Sequence, residues 1–270
     1  MTGTISPNNL RFAANLSFLF TERPFLDRFA AAAQAGFQGV EFLFPYDHPA
    51  DEIAEAAQDA NVEIVLFNLP PGDWDAGERG LAALPGREAE VAHGLNQAVD
   101  YAIRLNVRQL HVMAGVLPPN VTPEAARETV VGNLQRACAE AARASVTLLI
   151  EPINTRDMPG YALSRTEDAL DIIDAVAAPN IGLQLDLYHR QIMQGDLTAA
   201  IDLAWPVIRH TQIANPPDRS APNDGEINYA HIFRHLMEKD YAGWIGCEYG
   251  PKGRTEDNLG WLNGPKVAGS

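Results

Sequence analysis

Four apolar runs in this chain stop on oxygen-bearing side chains: TLLIEPIN, GLQLDLYH, RHTQIAN and WIGCEY, ending at Glu151, Asp186, Gln212 and Glu248. If these runs are parallel strands of one closed barrel, their C-terminal ends open on a single mouth. Three carboxylates and one amide oxygen then share a small space. Bare carboxylates at such proximity raise each other's proton affinity. A divalent cation removes the conflict, and an all-oxygen donor set favours Mg²⁺ or Mn²⁺ over Zn²⁺. Strand alternation supports the grouping. It puts Gln184, Asp186 and Tyr188 on one face, His210 and Gln212 on one face, and Gly246 below Glu248, leaving interior space.

The elements that must position these groups alternate along the chain. Strand-like runs occupy 10–17, 39–44, 63–69, 109–115, 147–154, 181–189, 208–215 and 243–249. Between them lie helical stretches with apolar residues three and four apart: PFLDRFAAAAQAG, GREAEVAHGLNQAVDYAIRLN and TPEAARETVVGNLQRACAEAARAS. Pro24 and Pro123 fall near first turns, where a missing N–H does no harm, and Gly36 suits a left-handed cap. Eight such units predict an α/β fold, a (β/α)8 TIM barrel. An open doubly wound sheet would need a glycine-rich phosphate loop after the first strand. The segment there, ANLSFLFTERP, has no glycine. The longest irregular stretch, PPGDWDAGERGLAALPG (70–86), holds four glycines and three prolines, and its place at the barrel mouth predicts a substrate lid.

Composition narrows the function classes. The 270 residues fit one barrel domain, 1–270, with 1–9 and 264–270 as loose tails. A net charge of −15 repels phosphate backbones and disfavours a nucleic-acid partner. Two distant cysteines, Cys138 and Cys247, make neither a disulfide framework nor a paired-Cys metal motif, which suits a reducing cytoplasm. The start lacks the basic and apolar regions of a signal peptide, and no apolar run reaches the length of a membrane span.

At RFAANLSFLF, GFQGVEFLFPYD, NLPPGDWDAGERGLAALPGRE, LLIEPIN, LQLDLYHRQIMQGDL, HTQIAN, GEINY and GCEY the chain resembles the hydroxypyruvate isomerase family of the xylose-isomerase-like barrel superfamily. The resemblance runs from about Leu10 to Trp261, and NLPPGDWDAGERG is its most specific part. It implies a metal held by Glu151, Asp186, Gln212 and Glu248, with Glu151 and Glu248 as the acid/base pair. It implies a metal-dependent isomerase of carbohydrate and glyoxylate metabolism that moves a carbonyl between adjacent carbons through a cis-enediolate. The leading substrate pair is hydroxypyruvate and tartronate semialdehyde. A 2-oxo-tetronate isomerase and a ketose 3-epimerase are the alternatives. A homo-oligomer, dimer or tetramer, is expected on the same ground. Phe67 stands where the family pattern has His, and Asn215 and Asp218 stand where it has Asp and His, which puts substrate choice in question.

Other residues are expected to line the substrate site. His189, three residues past Asp186, matches a His that contacts substrate oxygens in the superfamily; a surface His is the alternative. Arg219 is a candidate for holding a substrate carboxylate, as its fork suits that task, and Lys252 is a weaker one. Glu78 and Arg79 either close over the substrate or form ion pairs that brace the lid. Glu41 reads as interior, and His111 reads as a hydrogen-bonded core residue rather than a ligand. Trp74 and Trp244 read as packing residues, and Cys247 points away from Glu248's face. A DNA-repair endonuclease would want a His-rich zinc site and a basic surface. A barrel that only binds its ligand should have lost its paired glutamates.

Overall fold

Runs that are apolar throughout suit strands covered on both faces, the condition of a parallel sheet. The computed structural model describes residues 10–262. Eight such runs become strands: β1 (Arg11–Asn15), β2 (Gly39–Glu41), β3 (Glu63–Asn68), β4 (Gln109–His111), β5 (Thr147–Ile150), β6 (Ile181–Asp186), β7 (Ile208–Ile213) and β8 (Trp244–Cys247). They pair in parallel in chain order, and β8 closes on β1. The expected barrel is therefore present. The expected tails, 1–9 and 264–270, lie outside the described residues.

Helices α1 (Asp27–Gln34), α2 (Ala50–Ala60), α3 (Glu88–Leu105), α4 (Pro123–Ala141) and α5 (Thr166–Val176) each link successive strands. α3 buries Val91, Leu95, Ala98, Ala102 and Leu105, a four-three spacing that lays one stripe on the barrel. α4 starts as its sequence predicts: the Thr122 hydroxyl accepts from Ala125 N at 3.2 Å and Pro123 takes the first turn. Gly36 follows α1 with φ +99°, the left-handed cap expected there.

Two differences from expectation have physical causes. The strand-like runs are longer than the strands, because ladder pairing stops at the mouth and the remaining residues turn into loops. The run 181–189 ends in a helix instead: Asp186 Oδ1 accepts from Tyr188 N at 2.7 Å and starts α6 (Leu187–Met193). Strand alternation thus does not extend to Tyr188. A further helix, α7 (Leu197–Ala204), precedes β7, and α8 (Tyr229–Glu238) precedes β8. Among the described residues after β8 there is only a short 3₁₀ turn, Thr255–Asn258. No helix among the described residues is long and apolar enough to cross a membrane.

Candidate active site

Strand register brings the strand-end residues together. Asp186 lies beside Gln212, and Gln212 beside Gly246. Glu248, two residues on, stands over that glycine on the same face. Glu151 follows β5 directly. Glu151, Gln184, Gln212 and Glu248 all line a cavity of about 240 Å³ at the C-terminal mouth of the barrel.

The charges there are poorly matched by the protein alone. Glu151, Asp186 and Glu248 are all buried. Glu151 Oε1 and Asp186 Oδ2 have no hydrogen-bond partner. One ligand atom each from Glu151, Asp186 and His189 lie within 4.8 Å of one another. Burial, then the Glu248 and Asp186 charges, holds the Glu151 carboxyl well above its usual range. Burial pushes Asp186 up to about 6 and Glu248 up to about 8, against the pull of Arg219. Buried, orphaned carboxylate oxygens are costly unless a cation meets them. The donor chemistry therefore fits a hard divalent ion.

Arg219 supplies part of the counter-charge. Its guanidinium donates to the Glu248 carboxylate and, at 3.2 Å, to the Glu248 carbonyl. It stands 3.7 Å from Asp186 and 3.9 Å from Asp157, over the rings of Phe18 and Tyr188.

Beneath the acids lies a layer that ties both edges of the barrel seam. The Gln212 amide nitrogen donates to Glu41 at 2.8 Å and to Glu248 at 2.6 Å. Asn15, from β1, bridges the same two carboxylates at 3.0 Å each. Gln212 Oε1 accepts from Gln184 at 2.7 Å. Glu41 also pairs with His210 at 2.6 Å. The space expected below Glu248 is filled by Glu41, since a Cβ on Gly246 would collide with its carboxylate.

His189 has a fixed tautomer. Asn154 Oδ1 accepts main-chain N–H groups of Arg156 at 3.0 Å and Asp157 at 2.8 Å. The Asn154 amide nitrogen is thus the group that meets His189 Nδ1 at 2.7 Å. Nδ1 accepts, so Nε2 carries the hydrogen of the neutral ring. Burial, with Arg219 nearby, keeps that ring neutral. Nε2 faces Asp186 at 3.6 Å and Glu151 at 4.0 Å, so His189 is a hydrogen donor in the site.

Several expectations need correction. His111 is a cavity residue, with Nε2 3.6 Å from Glu151 and otherwise unpartnered, because its strand face is the interior one. Burial lowers its proton affinity to about 3 and keeps it neutral. Trp74 lines the cavity, with Arg79 stacked on its ring at 3.8 Å. Glu78 does not line it: Arg87 and the Asp73 N–H hold its carboxylate. Lys252 is exposed outside the cavity and pairs with Asp224 at 2.8 Å. Phe67 turns away from the mouth and stacks on Phe42. The Asn215 amide is spent on Pro222 and Ile227 backbone, and exposed Asp218 stands 3.8 Å from Lys252, so neither shapes the cavity. Asn15, Asn68, Asp157 and Met158 line the cavity without having been singled out. For Asn15 and Asn68 the signal was present, since each is a polar residue ending an apolar strand.

The chain has extensive likenesses. The xylose isomerase-like TIM barrel family matches residues 29–264. The 2-oxo-tetronate isomerase of Cupriavidus necator is 50% identical over 253 residues, 93% of this chain and 97% of that one. The hydroxypyruvate isomerase of Escherichia coli is 45% identical over 254 residues, 94% of this chain and 98% of that one. A crystal structure described as an AP endonuclease, family 2, from Brucella melitensis superposes with a TM-score of 0.92 at 49% identity, covering 94% and 98% of the two chains.

Proposed function

The chain belongs to the xylose isomerase-like TIM barrel family, in company with the hydroxypyruvate and 2-oxo-tetronate isomerases, and on that premise we propose that it is a divalent-metal-dependent isomerase of short hydroxy-keto acids. The observation that carries the reading is the buried pair Glu151 and Glu248, each with its proton affinity raised and each sensing the site's other acids. Two carboxyls lining one cavity can take a proton at one substrate carbon and return one at its neighbour.

The reaction needs one proton moved between neighbouring carbons. One glutamate takes the proton from the hydroxyl-bearing carbon, leaving an enediolate. The other, protonated, delivers a proton to the former carbonyl carbon while the hydroxyl hydrogen passes from its oxygen to the former carbonyl oxygen. The pair thus ends with its proton count unchanged and the substrate keeps its atoms. Neutral His189, held by Asn154, offers Nε2–H to a substrate oxygen. Glu151 and Asp186, each with an unpartnered oxygen, would hold the cation together with Glu248. Gln212 would join only on turning its amide, since its oxygen accepts from Gln184 and its nitrogen faces Glu248. When bound, the cation polarises the carbonyl and stabilises the developing oxyanion. Its all-oxygen donors favour Mg²⁺ or Mn²⁺.

The substrate is a three- or four-carbon acid. The quoted motifs suit hydroxypyruvate and 2-oxo-tetronate alike, and the relatives at 50% and 45% identity are named for one acid each. DNA is a poor candidate, because a chain of net charge −15 repels phosphates. The test is turnover of both acids with and without chelator, by the wild type and by Glu151→Gln and Glu248→Gln. Each variant should lose about 10²–10⁴-fold in kcat. Near-full activity of either variant, with metal content unchanged, removes that residue from the acid/base pair.

A further inference from the structure

We propose that Arg79, and not Arg219, holds the carboxylate of the substrate, with Trp74 as the plate that fixes its guanidinium. The inference rests on the keto-acid reading above and gives that reading its selectivity for acids.

Two arginines, Arg79 and Arg219, line the cavity. Arg219 is already committed, to Glu248, Asp186 and Asp157. An incoming carboxylate would compete with these acids for the fork and would be repelled by them. Arg79 has no ion-pair partner among the described residues. Its recorded hydrogen bonds run from Nη1 to the main-chain carbonyls of Trp74 and Glu78, both at 2.8 Å. The neighbouring acid, Glu78, is drawn off by Arg87 at 2.5 Å and by Asp73 N at 2.6 Å. Nε and Nη2 of Arg79 are left for a two-point contact with a carboxylate.

The loop that carries Arg79 is fastened to the barrel. Gly80 N donates to Pro71 O at 2.8 Å, and Ala83 N donates to Ala114 O at 2.8 Å. Gly80 bridges Ala114 with φ +108°, and a Cβ there would strike the Met113 carbonyl. Trp74 packs edge-on against Phe44 on one side and under the Arg79 guanidinium on the other. A cation stacked in this way keeps its in-plane donors free while losing rotamer freedom in advance. The 70–86 loop thereby acts as a carboxylate selector, and neutral ketoses of the same length gain nothing from it.

The experiment compares wild type, Arg79→Gln and Arg79→Lys in two assays: steady-state turnover of both keto acids, and calorimetric binding of pyruvate to the metal-loaded protein. Pyruvate carries the carboxylate without the hydroxyl that reacts. Arg79→Gln should raise KM at least tenfold with a smaller fall in kcat, and should lose pyruvate binding. Arg79→Lys keeps the charge without the fork and should recover only part of both. An unchanged KM or retained pyruvate affinity in Arg79→Gln, at an unchanged melting temperature, overturns the proposal. If the wild type turns over neither acid, the isomerase reading falls by itself. Pyruvate binding then still decides the role of Arg79.

Discussion

The Glu41 carboxylate occupies the volume that a side chain at position 246 would need. Glu41 is buried and holds His210, Gln212 and Asn15 together. Gly246→Ala therefore displaces a carboxylate that three partners fix. Overpacking of this kind costs about 1–3 kcal/mol. The variant should melt several degrees lower and lose turnover, because Gln212 and Glu248 shift with Glu41. Calorimetry and a kcat measurement check both, and an unaltered melting temperature would mean the carboxylate can move aside freely. The meeting of the four strand-end residues was legible in the sequence because an oxygen-bearing side chain closing an apolar run has little structural use. Glu41 was legible only as interior. Its partners are up to 171 residues away, and alternation gives a face, not a partner.

Among the elements, the loop between β3 and α3 does the most with the least regular structure. Its glycines and prolines announced an irregular segment at the mouth. They did not announce that Trp74 would serve as a plate or that Glu78 would be taken by Arg87. Such pairings depend on where α3 begins, and helix starts are poorly marked when the residue ahead makes no side-chain cap, as with Arg87. The fastening at Gly80 is testable. Gly80→Ala forces a side chain into a positive φ and against backbone. The loop should lift from the segment after β4, at Met113 and Ala114, raising KM for the proposed keto acid with little change in global melting temperature, since the barrel strands are untouched. An unchanged KM would show that the loop's seat is immaterial to binding. Lys252 illustrates the converse limit: a basic residue shortly after β8 is near the mouth in sequence, yet two aspartates hold it outside.

For the molecule as a whole, the buried acids set how stability responds to pH. Glu151, Asp186 and Glu248 have folded-state proton affinities raised by burial, Asp186 to about 6 and Glu248 to about 8. Free carboxyls titrate near pH 4. Below about pH 6.5 the buried, neutral His111 and His189 offset the protons these acids hold, because unfolded imidazoles bind protons there. From about pH 6.5 to about pH 8 the acids act alone, and the folded chain binds more protons than the unfolded chain. Stability of the chelated protein should fall as pH rises through that window. Glu167 acts in a separate and more acidic range: desolvation, the largest single influence, is outweighed by hydrogen bonds from Gln194, its own backbone and Arg190, which draw it down to about 2. Added Mn²⁺ or Mg²⁺, binding only the folded chain, should raise the melting temperature most at the alkaline end. Scanning calorimetry with chelator and then with metal checks the sign. A chelated protein more stable at about pH 8 than at about pH 6.5 would contradict it.

Asn15 on the first strand donates to Glu248, just past the last strand, across 233 residues of chain. The proposed chemistry and the closure of the ring thus share one bond. Glu248 comes last of the four in chain order, so a fragment ending before β8 lacks one member of the proposed acid/base pair. On the proposed mechanism turnover becomes a seal on the finished molecule: a barrel parted at the β1–β8 seam, even with its other strands in place, should fall silent before it unravels.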